Sequence, residues 1–125
     1  MREPRTQADV VEISSQVDGL FAAAFRVTHD LGPAELTYVA DAFDPAHGDQ
    51  IKPASRAIAE ACRRVANSGK PFHQRLGLAE YPTLVVAAVP FVEAGHVRAA
   101  FGVIFYCVDE GDCVRRVGQL TALAE

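Results

Sequence analysis

Apolar positions in the first part of the chain recur at three and four: Val10, Ile13, Val17, Leu20 and Ala24, with Glu12, Ser15, Gln16 and Asp18 on the other side. That is the period of an amphipathic helix, predicted from Ala8 toward Phe21. Near Gly19 and Leu20 the helix must give way, because Phe21 to Thr28 and Leu36 to Ala40 read as two strands joined by the turn residues His29-Asp30-Leu31-Gly32-Pro33. Asp41 to Gln50 is rich in Asp, Pro and Gly, has no period, and reads as a loop. After it, Ile51, Ser55, Ile58, Cys62 and Val65 share one helical face, and Gly69 with Pro71 stops that helix near Ser68.

The second half is more apolar. Phe72 to Leu76 reads as a short strand, and Thr83 to Val92 with Val97 to Cys107 as a long hairpin around Glu93-Ala94-Gly95-His96. Both long strands carry apolar residues at successive positions, so both faces of the sheet are expected to be covered. Asp112 is the expected N-cap of a last helix whose stripe is Cys113, Val117, Leu120 and Ala124. Helix, two strands, helix, strand, two strands, helix is the order of an α+β fold with an antiparallel sheet.

Composition narrows the class. A chain of 125 residues, half of them apolar and 22% charged, is expected to fold as one domain over residues 1–125. A formal charge of -4 and a pI near 5.5 provide no basic field for nucleic acid, so no nucleic-acid partner is expected. Leu84 to Val92 is followed by Glu93, Gly95, His96 and Arg98, far short of the roughly 20 apolar residues of a membrane span, so no membrane partner is expected. The polar start Met1-Arg2-Glu3-Pro4-Arg5 lacks a signal-peptide core and points to the cytoplasm. Cys62, Cys107 and Cys113 are odd in number with no CxxC pair, and all three read as free thiols.

Two stretches resemble a GAF domain: VANSGKPFHQ, Val65 to Gln74, where a helix ends at Gly and Pro leads into a short strand, and TLVVAAVPFVEAGHVRAAFGVIFY, Thr83 to Tyr106. The second is similar to the family's strand ending in a small residue, Val-Pro and an apolar residue, here Ala88-Val89-Pro90-Phe91, followed by a Gly turn at Gly95 and a long strand. Ala99 stands where the family often has Gly, and Arg98 where it often has an aliphatic residue. The resemblance implies a sheet of about five to six strands, with the N- and C-terminal helices on one face and the central helix and loops on the other. It also implies a non-catalytic sensory or regulatory domain that binds a small molecule, a nucleotide among them, and signals through dimerisation or a partner protein. Such a homodimer would form through the terminal helices, with Val10, Ile13, Val17 and Leu20 on one and Val114, Val117, Leu120 and Ala124 on the other; otherwise both stripes cover their own sheet. A ligand-free dimerisation or scaffold module and a small thiol-dependent enzyme, of the GAF-type methionine sulfoxide reductase kind, are the alternatives. No motif names a cofactor or a reaction, since Ser-His-Asp, P-loop and HExxH arrangements do not occur.

Strand alternation selects candidate ligand residues. In the last strand Arg98, Ala100, Gly102, Ile104 and Tyr106 share a face whose first half is small, and Ala22, Ala24 and Arg26 repeat the pattern in the first strand. With these strands adjacent, Arg26 and Arg98 would project beside a gap and grip a carboxylate or phosphate; the alternative is that small residues admit a close helix while each arginine reaches solvent. By resemblance, Phe43 and His47 border the ligand pocket, and Tyr38 on the preceding strand is grouped with them. His73, Arg75 and Tyr81 stand near the short strand as further pocket candidates. Asp41, Asp44, His47 and Asp49 match no metal-ligand spacing and read as a solvated turn. Cys62 lies on an apolar stripe and reads as core, whereas Cys107 and Cys113 flank Val-Asp-Glu-Gly-Asp, close enough to pair if the loop folds back. Acidic neighbours Asp109, Glu110 and Asp112 would raise a thiol pKa, against a catalytic cysteine there.

Overall fold

The computed structural model describes residues 3–30, 32–43, 54–79 and 81–125. Its elements are α1 (Gln7–Gln16), β1 (Phe21–Thr28), β2 (Glu35–Phe43), α2 (Ala54–Ser68), β3 (Phe72–Arg75), β4 (Leu84–Glu93), β5 (His96–Tyr106) and α3 (Glu110–Ala124). The strands form one five-stranded sheet in the order β2-β1-β5-β4-β3, antiparallel at every pairing. This is the expected α+β class.

Helix α1 starts at a capping box: the Thr6 hydroxyl accepts from the Asp9 N–H at 3.2 Å, and the Asp9 carboxylate accepts from the Thr6 N–H at 3.1 Å. It ends at Gln16, where Asp18 takes a left-handed conformation (φ 52°) and the Leu20 N–H joins the sheet at Ile104 O, 2.8 Å away. Leu20 keeps the helical spacing of Val10, Ile13 and Val17 yet packs on the opposite face of the sheet, because the chain has already turned. Strand β2 runs on through Asp41, Ala42 and Phe43, which were expected in the loop and instead pair with Ala23, Ala22 and Phe21. Helix α3 also starts earlier than expected: Asp109, not Asp112, is its N-cap, and the Asp109 carboxylate accepts from the Asp112 N–H at 2.8 Å.

Helices α1 and α3 cover one face, where Val10, Ile13, Val17 and Leu120 pack with Ala22, Ala24, Phe101, Val103 and Phe105. The Arg116 guanidinium ties the two helices by donating to Val17 O at 2.9 Å. Helix α2 covers the other face, placing Ile58, Ala61, Cys62 and Val65 against Val86, Ala88, Ala100 and Ile104. Phe101 and Phe105 are fully buried in the middle strand, each removing about 1.5–3 kcal/mol worth of apolar surface from water. The stripes on α1 and α3 are therefore largely spent on their own sheet, with Val114 left exposed.

The expectation of three free thiols is corrected. Cys107 and Cys113 are joined, with Cα atoms 5.6 Å apart, within the range a disulfide takes. The Asp109 cap reverses the chain after β5 and brings the first turn of α3 back over the strand end, which a count of cysteines does not reveal. Cys62 is free and buried. No helix among the described residues is long and apolar enough to cross a membrane.

Candidate functional site

The gap expected over Ala100 and Gly102 is filled by α2. A Cβ placed on Gly102 would lie 2.8 Å from Ile58 Cγ2 and 2.9 Å from Cys62 Sγ, so the helix rests directly on the strand backbone. The small residues there serve close packing.

Arg26 and Arg98 nevertheless come together, on the other face. Phe91 pairs with Ala99 and Val92 with Val97, so Arg98 is the extra residue of a β-bulge. The bulge breaks alternation: Val97 packs on the α2 side and Ala99, two residues on, packs under the terminal helices. Arg26 pairs with Ala99, and both arginines line an open hollow of about 470 Å³ with Glu3, Arg5, Thr28 and Glu93. Arg5 is held by Glu3 at 3.2 Å. Among the described residues, neither Arg26 nor Arg98 has a carboxylate within salt-bridge distance.

A second constellation lies on the α2 side of β1 and β2. Phe21 meets Phe43 edge to face, with centroids 5.8 Å apart, and Phe25 meets Tyr38 in the same way at 6.2 Å. The β2 rings are open to solvent, Tyr38 at 56% and Phe43 at 43% exposure. Between the two ring pairs sit Asp41 and its small partner Ala23. Partial burial raises the Tyr38 phenol above its ordinary pKa, and the negative charge of the neighbouring Asp41 carboxylate adds to the rise. Asp41, expected in a solvated turn, instead belongs to β2; its period-two spacing from Phe43, opposite Phe21 and Ala23, is the signal that marks it.

The remaining candidates lie elsewhere. His73 Nε2 is 3.1 Å from Glu110 Oε1, tying β3 to the start of α3, and Arg75 Nη1 donates to Pro82 O at 3.2 Å. Arg75 also lines a cleft of about 150 Å³ between α2 and β3, where the Arg64 guanidinium sits 4.8 Å from the Phe72 ring centroid. The Tyr81 N–H bonds Leu78 O at 3.1 Å and the side chain leans on the α2-side core. His47 lies outside the described residues. The candidates thus divide among the arginine hollow, the β1–β2 platform and the β3 edge, and do not line one pocket. Among the described residues no group of three His, Cys, Asp or Glu side chains could hold a metal ion.

No family model and no curated protein matches the chain. Solved structures do. The nlh2 GAF domain of A. Aeolicus in an inactive state is similar with a TM-score of 0.64 at 10% identity, over 99% of this chain and 83% of that one. The GAF domain/HD domain protein from Geobacter sulfurreducens aligns with a TM-score of 0.54 at 12% identity, over 92% of this chain and 84% of that one. The type II free methionine-R-sulfoxide reductase from Thermoplasma acidophilum aligns equally well, TM-score 0.54 at 12% identity, over 95% and 86%. At such identities the likeness speaks for architecture alone. Strand order, the helices on each face and these neighbours together show that this chain has a GAF-like fold.

Proposed function

We propose that this chain is a sensory or regulatory domain that binds a small molecule on the α2 side of β1 and β2 and passes its state to a partner chain through α1 and α3. The observation that carries the reading is the platform itself: two aromatic pairs flank the Asp41 carboxylate, and the outer rings, Tyr38 and Phe43, are exposed. Helix α2 packs against β1, β3, β4 and β5, so β2 is the strand on that side with rings to offer. Aromatic faces beside one acceptor suit a flat nitrogen heterocycle, stacked on the rings and donating an N–H to Asp41. A nucleobase or nucleoside has that chemistry.

The test is native mass spectrometry of the purified protein, followed by thermal-shift titration with nucleobases and nucleosides. Binding weakened by Asp41→Asn and by Phe43→Ala supports the reading; no retained molecule and no shift with any of them would sink it.

A ligand-free dimerisation or scaffold module is the second reading, favoured by the seating of α2 on Gly102 that leaves no room beneath it. A dimer without retained mass in the same spectrum selects it. Thiol catalysis is not proposed, since Cys62, Cys107 and Cys113 are all buried.

A further inference from the structure

We infer that Arg26 and Arg98 form a second ligand site, for the oxyanion group of a small phosphate or carboxylate compound, on the face opposite the β1–β2 platform. The argument starts from the bulge. Strict alternation would put Arg98 on the α2 side with Ala100 and Gly102; the extra residue instead re-aims it into the hollow that Arg26 already lines. Arg26 stands opposite Ala99, the residue after Arg98, so the two exposed positive charges share one hollow from adjacent strands. The lining holds three arginines against two glutamates, a net charge of +1, and Glu3 is already committed to Arg5. Glu93 reaches neither Arg26 nor Arg98 within salt-bridge distance. Two planar guanidinium forks without a carboxylate, and the Thr28 hydroxyl beside them, present donors that a phosphate or carboxylate group accepts in bidentate fashion.

The space fits a metabolite and not only an ion. The hollow measures about 470 Å³, and one of about 180 Å³ shares Glu3, Arg5, Glu93 and Arg98 with it and extends to Phe91, Ala124 and Glu125, whose carboxylate balances the +1 of the first hollow, so the anion is expected at the Arg26 end. An anion gripped here would touch β1 and β5 while lying against the lead-in to α1 and the last turn of α3.

Isothermal titration of the full chain at low salt tests this with inorganic phosphate, glycerol 3-phosphate and succinate, against sodium chloride at matched ionic strength. The expected result is saturable binding of the phosphates or of the dicarboxylate, whichever class the site takes, with no comparable heat from chloride. Arg26→Ala and Arg98→Ala should each weaken it by about 10-fold or more, the scale of a lost charge-assisted hydrogen bond. Glu93→Gln removes a repelling carboxylate and should tighten it, while Asp41→Asn should leave it unchanged. Wild-type protein that binds none of the three at about 10 mM overturns the inference. So does binding that is unaltered in the Arg26→Ala/Arg98→Ala protein, or that is lost with Asp41→Asn, which would assign the anion to the platform instead.

Discussion

Gly102 of β5 and Ile58 of α2 meet with no space for a methyl group between them, the built Cβ standing 2.8 Å from Ile58 Cγ2. Gly102→Ala is therefore expected to destabilise the fold by about 1–3 kcal/mol through overpacking, although alanine is the smallest possible addition. Urea denaturation of the two proteins measures it. Equal midpoints would mean that α2 can lift from the sheet without cost.

The β4–β5 hairpin turns through Ala94 and Gly95, both with positive φ, 53° and 79°. Glycine accepts that conformation, whereas alanine carries a steric penalty of about 1–2 kcal/mol. Asparagine tolerates it better and favours two-residue turns of this kind when followed by glycine. Ala94→Asn should stabilise the protein by up to about 1 kcal/mol, read as a higher urea midpoint, and a lowered midpoint would contradict the turn geometry.

Burial pushes the Cys62 thiol far above its ordinary pKa, so it should resist alkylation in the native protein at neutral pH. Unfolded without reductant, the chain should take one label, at Cys62; with reductant it should take three, as Cys107 and Cys113 open. Three labels without reductant would exclude the bridge. With the bridge formed, Cys113→Ser should cost about 2 kcal/mol, the scale for closing so short a loop.

Asp112 is held by Arg115 at 2.6 Å and by Arg116 at 3.4 Å. The hydrogen bond from Arg115 lowers its pKa most, the Arg116 charge adds to this, and partial burial works against both. Because the folded value lies below the unfolded one, near 3.9, the stabilisation is complete above that value and fades as pH falls through the folded pKa. Wild type should exceed Asp112→Asn in stability at neutral pH, and the difference should shrink in acid. Urea midpoints taken across the acid range check the sign, and a gap that widens toward low pH would refute it.

Much of the fold is legible because its signals are local. Val10, Ile13 and Val17 repeat at helical spacing and do lie on the core face of α1; Thr83 to Val92 and Val97 to Cys107 carry apolar residues at successive positions and do become β4 and β5, buried on both sides. Leu20 shows where that reading stops. Its spacing continues the helix, but a turn at Asp18 sends it to the other face, and periodicity has no memory of where the chain bends.

The candidate sites depended on relationships between distant residues. Alternation put Arg98 with Ala100 and Gly102, and only the pairing of Phe91 with Ala99 and Val92 with Val97 reveals the bulge that moves it beside Arg26. Asp41 looked like loop polarity until its partner strand extended the pairing to Phe43. Cys107 and Cys113 looked unpaired until Asp109 capped α3 and turned the chain back. By itself the sequence determined which segments are helices and strands and which residues are apolar enough to form the core, because period and burial are properties of neighbours along the chain. Only the tertiary structure decided which face each arginine occupies, which space is filled and which aromatic rings remain exposed, because register, bulges and helix seating are set by contacts between segments far apart in sequence.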